Sequence, residues 1–107
     1  MFRRPADDPI LKRVRAALDV LYGDRIERVV LFGSRARGDA QGESDYDIAV
    51  FLTDLTDRWQ EFHRLADLRT EILFDTGMFI EARPCKAGSY VERTPLMHEI
   101  RRDGLDF

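Results

Sequence analysis

Residues 28–52 read Arg28-Val-Val-Leu-Phe32, then Gly33-Ser34-Arg35-Ala36-Arg37-Gly38, a polar stretch from Asp39 to Ser44, and finally Asp45-Tyr46-Asp47-Ile48-Ala49-Val50-Phe51-Leu52. The first five residues are short, apolar and β-rich, which is strand character. They run straight into glycines that permit a tight turn. A turn signal at Gln41-Gly42 precedes the last eight residues, which read as a second strand. One strand thus delivers a Gly-Ser turn, and the next opens on two carboxylates. Side chains alternate along a strand, so Asp45 and Asp47 share one face. Tyr46, Ile48 and Val50 take the other, where Tyr46 is expected to pack in the core.

On either side lie helices. Asp8 caps a helix whose first position is Pro9, and Ile10, Leu11, Val14, Leu18 and Leu21 recur at helical spacing until Gly23. Asp57 caps a second helix over about Arg58 to Asp75, with Phe62, Leu65, Leu68 and Ile72 on one face and Gly77 as the stop. A third strand spans Met78 to Arg83, Pro84 ends it, and Ala87-Gly88-Ser89 reads as loop. Thr94-Pro95 opens a last helix through about Arg102, closed by Gly104. This order predicts an α/β (α+β) domain in which helices cover a small mixed β-sheet of about three or more strands. The link through the second helix suits a parallel crossover, and the short link after the first strand suits an antiparallel return. Leu96, Met97, Ile100, Leu105 and Phe107 either close the core or contact a partner.

A length of 107 residues fits one domain over 1–107, and 44 % hydrophobic with 35 % charged residues describes a folded chain with a heavily charged surface. Seventeen basic against twenty acidic side chains leave a net charge of −3. No global cationic field draws the chain to nucleic acid or anionic lipid, so direct nucleic-acid binding is not expected and any phosphate chemistry is local. Cys85 is the single cysteine, which excludes an internal disulfide and a cysteine-built zinc site and suits a reducing cytoplasm. No apolar run approaches a membrane helix, and Arg3-Arg4 lacks the apolar stretch of an export signal. A soluble cytoplasmic protein is expected. Trp59 and His63 are spaced to touch on one helix face, His98 is expected on the surface, and neither histidine has metal-ligand neighbours.

Two carboxylates about 4 Å apart repel by about 4 kcal/mol at an effective dielectric of 20, a cost that a bound cation removes. Oxygen-only ligands favour magnesium or manganese, which bind through one or two carboxylates, waters and substrate phosphates. An Asp-x-Asp pair alone also fits a solvated strand start. Its context adds weight: a turn at Gly33-Ser34 can aim backbone N–H groups and the Ser34 hydroxyl at an anion. Arg35 and Arg37 add local positive charge there, as phosphate neighbours or as solvated turn residues. Phosphate held beside a carboxylate-bound divalent cation describes a metal–nucleotide site.

Gly33-Ser34, ten intervening residues and Asp45-x-Asp47, flanked by Leu31-Phe32 and Ile48-Ala49-Val50, resemble the DNA polymerase β-like nucleotidyltransferase superfamily. Within it, Gly-Ser-Arg-Ala-Arg-Gly-Asp39 followed by Ser44-Asp45-Tyr46-Asp47-Ile48 resembles the minimal nucleotidyltransferase (MNT) domains. The resemblance implies that family's fold and a third carboxylate on a neighbouring strand. Ile80-Glu81-Ala82 fits that slot, with Asp75 at a helix end as the rival. It implies that Asp45, Asp47 and Glu81 ligate Mg²⁺ or Mn²⁺, and that Glu81 also helps to take the acceptor's proton. It further implies that Gly33 and Ser34 hold the phosphates of a nucleoside triphosphate, ATP, with Arg35, Arg37 and Ser44 in the nucleotide site. An acceptor hydroxyl would attack the α-phosphorus and release pyrophosphate. Because MNT proteins are commonly encoded beside HEPN-domain proteins, the resemblance implies an antitoxin that transfers AMP to a protein hydroxyl of a HEPN-type ribonuclease toxin, within a hetero-oligomer. The alternative is a non-catalytic antitoxin that occludes its partner; the retained Ser34, Asp45 and Asp47 favour the enzyme. Transfer to an antibiotic or other small molecule is weakened by the lack of room for an acceptor-binding domain.

Overall fold

The structure is a computed structural model and describes residues 7–38 and 45–107. Ser44 and the Gln41-Gly42 turn signal lie outside the described residues. Helix α1 spans Pro9–Tyr22; the Asp8 carboxylate accepts the Ile10 N–H at 2.8 Å, and the Gly23 N–H closes the last turn on the Asp19 carbonyl. A 3₁₀ turn over Gly23–Arg25 leads into β1, Ile26–Phe32. The Gly-Ser turn is a single helical turn, α2, Ser34–Arg37. Strand β2 is Tyr46–Leu52 and α3 is Arg58–Thr76, capped by Asp57 on the Gln60 N–H and stopped by a left-handed Gly77. Strand β3 is Ile80–Lys86, a 3₁₀ turn covers Ser89–Val91, and α4 runs Pro95–Asp103 behind its Thr94 cap. A two-residue strand β4, Leu105–Asp106, was not visible in the sequence.

The sheet has the order β3-β2-β1-β4. β1 runs antiparallel to β2 and to β4, and β2 runs parallel to β3 through the α3 crossover, so the sheet is mixed as expected. β4 pairs with the middle of β1, the Phe107 N–H donates to the Val29 carbonyl at 3.1 Å, and Arg15 donates to the Phe107 carbonyl at 2.8 Å.

Both faces of the sheet are packed, by different means. On one, Leu11, Val14 and Leu18 of α1 and Leu65, Leu68 and Ile72 of α3 bury Val29, Leu31, Ile48, Val50 and Leu52. Tyr46 belongs to this face, and its hydroxyl donates to Asp8 at 2.8 Å, tying the start of β2 to the cap of α1. Burial and that hydrogen bond push the Tyr46 phenol up to about 12. On the other face, Met97 and Ile100 of α4 cover Val30, Phe32, Ala49, Phe51 and Cys85, with Tyr90 edge-on to Phe51. Met97 and Ile100 are buried and Leu96 and Phe107 are packed at the margins, so the C-terminal apolar residues close the core; Leu105 stays 39 % exposed. Burial raises the Cys85 thiol above its ordinary value, which leaves a small inert hydrophobe. Among the described residues, no helix is long and apolar enough to cross a membrane.

Three expectations are corrected. Pro84 lies inside β3 rather than ending it, because β3 is an edge strand where a missing N–H costs no ladder bond. The Arg58 guanidinium donates to the outward Pro84 carbonyl at 3.0 Å. Phe62 is 46 % exposed, and the inward position on that turn of α3 is Glu61, 3 % exposed and paired with Arg25 at 2.7 Å. In α1, Tyr22 is buried where Leu21 was expected.

Candidate functional site

Three chain segments meet where β1 ends and β2 and β3 begin. Phe32 is the register partner of Asp47 on one side, and Glu81 is its partner on the other. Directly paired residues project from the same face of a sheet. Asp47 and Glu81 therefore share the face covered by α4, opposite Tyr46.

Gly33 carries the strand into α2 at φ 77°, in the left-handed region. Space dictates glycine there as well as conformation: a Cβ at this position would sit 2.3 Å from Asp47 Oδ2. The Gly-Ser turn and the carboxylate strand, thirteen positions apart, are thus one contiguous surface. Gly38, at φ 84°, donates to the Ser34 carbonyl at 3.0 Å and closes the turn. The Ser34 side chain is half-buried at its start.

Asp47 is half-buried and its carboxyl is held above the ordinary carboxylate value. Burial is the first cause and the adjacent Asp45 charge the second; Glu99 and Glu81 act in the same direction, and Arg83 opposes them. Asp45 and Asp47 therefore interact as expected. Glu81 stands in register with Asp47, yet its carboxylate is gripped by Arg69 of α3 at 3.0 and 3.1 Å. Asp75, the rival third carboxylate, is bound to Arg13 at 2.7 Å and joins α3 to α1, away from Asp47. Among the described residues, no three histidine, cysteine, aspartate or glutamate side chains are gathered closely enough to hold a metal ion. The donor chemistry around Asp47 nevertheless fits a hard divalent cation: oxygen ligands, half-buried, with an excess of negative neighbours.

The two α2 arginines are engaged with the body of the protein. Arg35 lies over the Tyr46 ring, 4.2 Å from its centroid, and Arg37 is 3.6 Å from Asp103 of α4. Two charged neighbours of Asp47 were missed in the sequence. Arg83 follows Glu81 by two positions and so shares its face, a parity that Glu81-Ala82-Arg83 displays. Glu99 arrives from α4 through tertiary packing, for which no local signal exists.

Residues 18–84 match the family model described as polymerase beta, nucleotidyltransferase. The chain belongs to the polymerase beta nucleotidyltransferase family. This nucleotidyltransferase is 37 % identical over 76 residues to a Methanocaldococcus jannaschii protein named "putative protein adenylyltransferase", covering 71 % of this chain and 70 % of that one. A second protein of the same name and organism is 37 % identical over 46 residues, 43 % of this chain and 46 % of the other. Among solved structures, a chain of a toxin–antitoxin crystal structure with AMP-PNP superposes with TM-score 0.63 at 18 % identity, covering 89 % of this chain and 69 % of that one. The crystal structure of a "putative nucleotidyltransferase" from Sulfolobus solfataricus gives 0.58 at 20 % identity, over 92 % and 76 %. A mutant MntA-HpeT toxin–antitoxin gives 0.56 at 19 %, over 91 % and 68 %. At these identities the solved structures establish a shared fold.

Proposed function

We propose that this nucleotidyltransferase transfers AMP from ATP to a hydroxyl of a partner protein, as the antitoxin of a HEPN-type ribonuclease toxin in the cytoplasm. The observation that carries the reading is the seating of the Asp47 carboxylate against Gly33, with Asp45 beside it and Glu81 in register across β2 and β3. Family membership supplies the reaction class, and the relatives named as protein adenylyltransferases support a protein acceptor. The fold shared with toxin–antitoxin chains, one with AMP-PNP, supports the biological role and the nucleotide.

In this reading Gly33 and Ser34 hold the terminal phosphates, with Arg35, Arg37 and Ser44 as neighbours in the nucleotide site. Asp45 and Asp47 would hold Mg²⁺ or Mn²⁺, joined by Glu81 once its carboxylate leaves Arg69. The cation would supply neutralisation of the charge that develops on the phosphate oxygens. The acceptor oxygen bonds to the α-phosphorus, the bond to the bridging oxygen of the β-phosphate breaks, and pyrophosphate departs. Glu81 takes the hydroxyl proton.

The deciding experiment is the intact mass of the neighbouring gene's product after incubation with this chain, Mg²⁺ and each nucleoside triphosphate, beside an Asp47→Asn control. A gain of whole AMP residues that the control abolishes is the expected result. A stable complex without mass gain, with inhibition that survives Asp47→Asn, would establish an occluding antitoxin instead.

A further inference from the structure

Between the first half of α3, the outer side of β3 and the segment that enters α4 lies a groove of ≈ 480 Å³. Its charged lining is Arg58, Arg69, Arg83 and Lys86 against Glu81 and Glu92, a cationic surplus on a chain whose net charge is −3. Phe62, Leu96 and Met97 supply an apolar floor and wall. Arg83 and Lys86 are both exposed, and the Arg83 charge also reaches Asp47. Glu81 belongs to this lining and is also the register partner of Asp47, so the groove opens onto the site.

We infer that this groove receives an acidic, aromatic-bearing segment of the partner protein and delivers its hydroxyl to Glu81. The inference rests on the transfer reading for the fate of that hydroxyl, and on the groove alone for the docking. Carboxylates spaced along a peptide can pair singly with Lys86, Arg83 and Arg58, while an aromatic ring lies against Phe62. Strand addition is not the binding mode, because Pro84 offers no N–H to the outer edge of β3 and Arg58 occupies its carbonyl. A nucleic acid fits less well, since Glu81 and Glu92 interrupt the basic stripe that a phosphate backbone requires.

The test measures fluorescence anisotropy of labelled poly(Glu,Tyr) on the intact protein without nucleotide, with poly(Lys,Tyr) and poly(U) as competitors. Lys86→Glu is compared with Lys12→Glu, an equal change of charge on exposed α1. Poly(Glu,Tyr) binding is expected to weaken about tenfold in Lys86→Glu and to change less than about twofold in Lys12→Glu. Arg58→Gln is expected to weaken it in the same way; should that variant fail to fold, the lysine pair decides alone. Equal effects of the two lysines, absence of binding, or displacement by poly(U) in preference to unlabelled poly(Glu,Tyr) would overturn the assignment. Because no transfer is measured, a chain that binds here yet transfers no AMP would defeat the proposed reaction and leave the groove standing.

Discussion

On the face of the sheet that bears Ile48 and Val50, two long helices close over the strands and leave those side chains with no exposure. On the face that bears Asp47, nine-residue α4 covers Ala49 and Phe51, while Asp47 is half-buried and Glu81 and Arg83 are exposed. Alternation along β2 sends neighbouring residues to these two settings. Apolar burial is therefore concentrated on the first face, and the second is free to gather like charges that a core would not accept. The separation matters because domains of this size retain only about 5–15 kcal/mol of net stability.

That division can be broken by mutation. The largest effect on folding is expected from Ile48→Ala, about 2–5 kcal/mol, with Met97→Ala on the other face at the lower end of that range. Urea unfolding measures both, and equal losses would erase the distinction. Next comes Gly33→Ala, which strains a φ of 77° and drives a methyl into Asp47 Oδ2. The backbone contribution alone is about 1–3 kcal/mol, and AMP transfer should collapse with it. A stable, active variant would show that the carboxylate does not need its seat on the glycine.

The third effect is alkaline. The Tyr46 phenol is raised to about 12 in the fold, whereas an unfolded tyrosine loses its proton from pH about 10. Its contribution is complete below pH 10 and is lost as pH rises through the folded value. Tyr46→Phe should remove that slope from stability measured between pH 8 and 11.5, and cost about 1 kcal/mol at neutral pH through the lost bond to Asp8. The smallest effect has the opposite sign. Burial, and then Asp45, raise the Asp47 carboxyl, so its favourable contribution belongs to low pH and is lost as pH rises through the folded value. At neutral pH the ionised group is a cost, and Asp47→Asn should raise the melting temperature while abolishing transfer. A lower melting temperature would mean that this carboxylate serves the fold.

What could be read in advance follows from range. The caps Asp8, Asp57 and Thr94, the stops Gly23, Gly77 and Gly104, and the alternation in β2 are local signals, and the structure repeats them. Pro84 misled because a proline's meaning depends on whether its strand lies at an edge, which only the strand order reveals. Glu61 is buried because Arg25, 36 positions earlier, arrives to pair with it. β4 is two residues long and carries no pattern. In the candidate site, the Gly33-Ser34 and Asp45-x-Asp47 texts were legible, and the resemblance offered Glu81 beside its rival Asp75; the register of Glu81 with Asp47 is set by the pairing of β2 and β3. The hold of Arg69 on Glu81 and the approach of Glu99 depend on how α3 and α4 pack.

The two edges of the sheet have different prospects in a crowded solution. At β3, Pro84 and Arg58 leave little for a foreign strand to grasp. At the other edge, Leu105 to Phe107 act as a stopper over the apolar middle of β1, held by the Arg15 bond and by Arg28 at 3.8 Å from Asp106. Release of this segment bares the N–H and C=O groups of Val29 to Leu31, an apolar strand edge of the kind that templates pairing with a foreign strand.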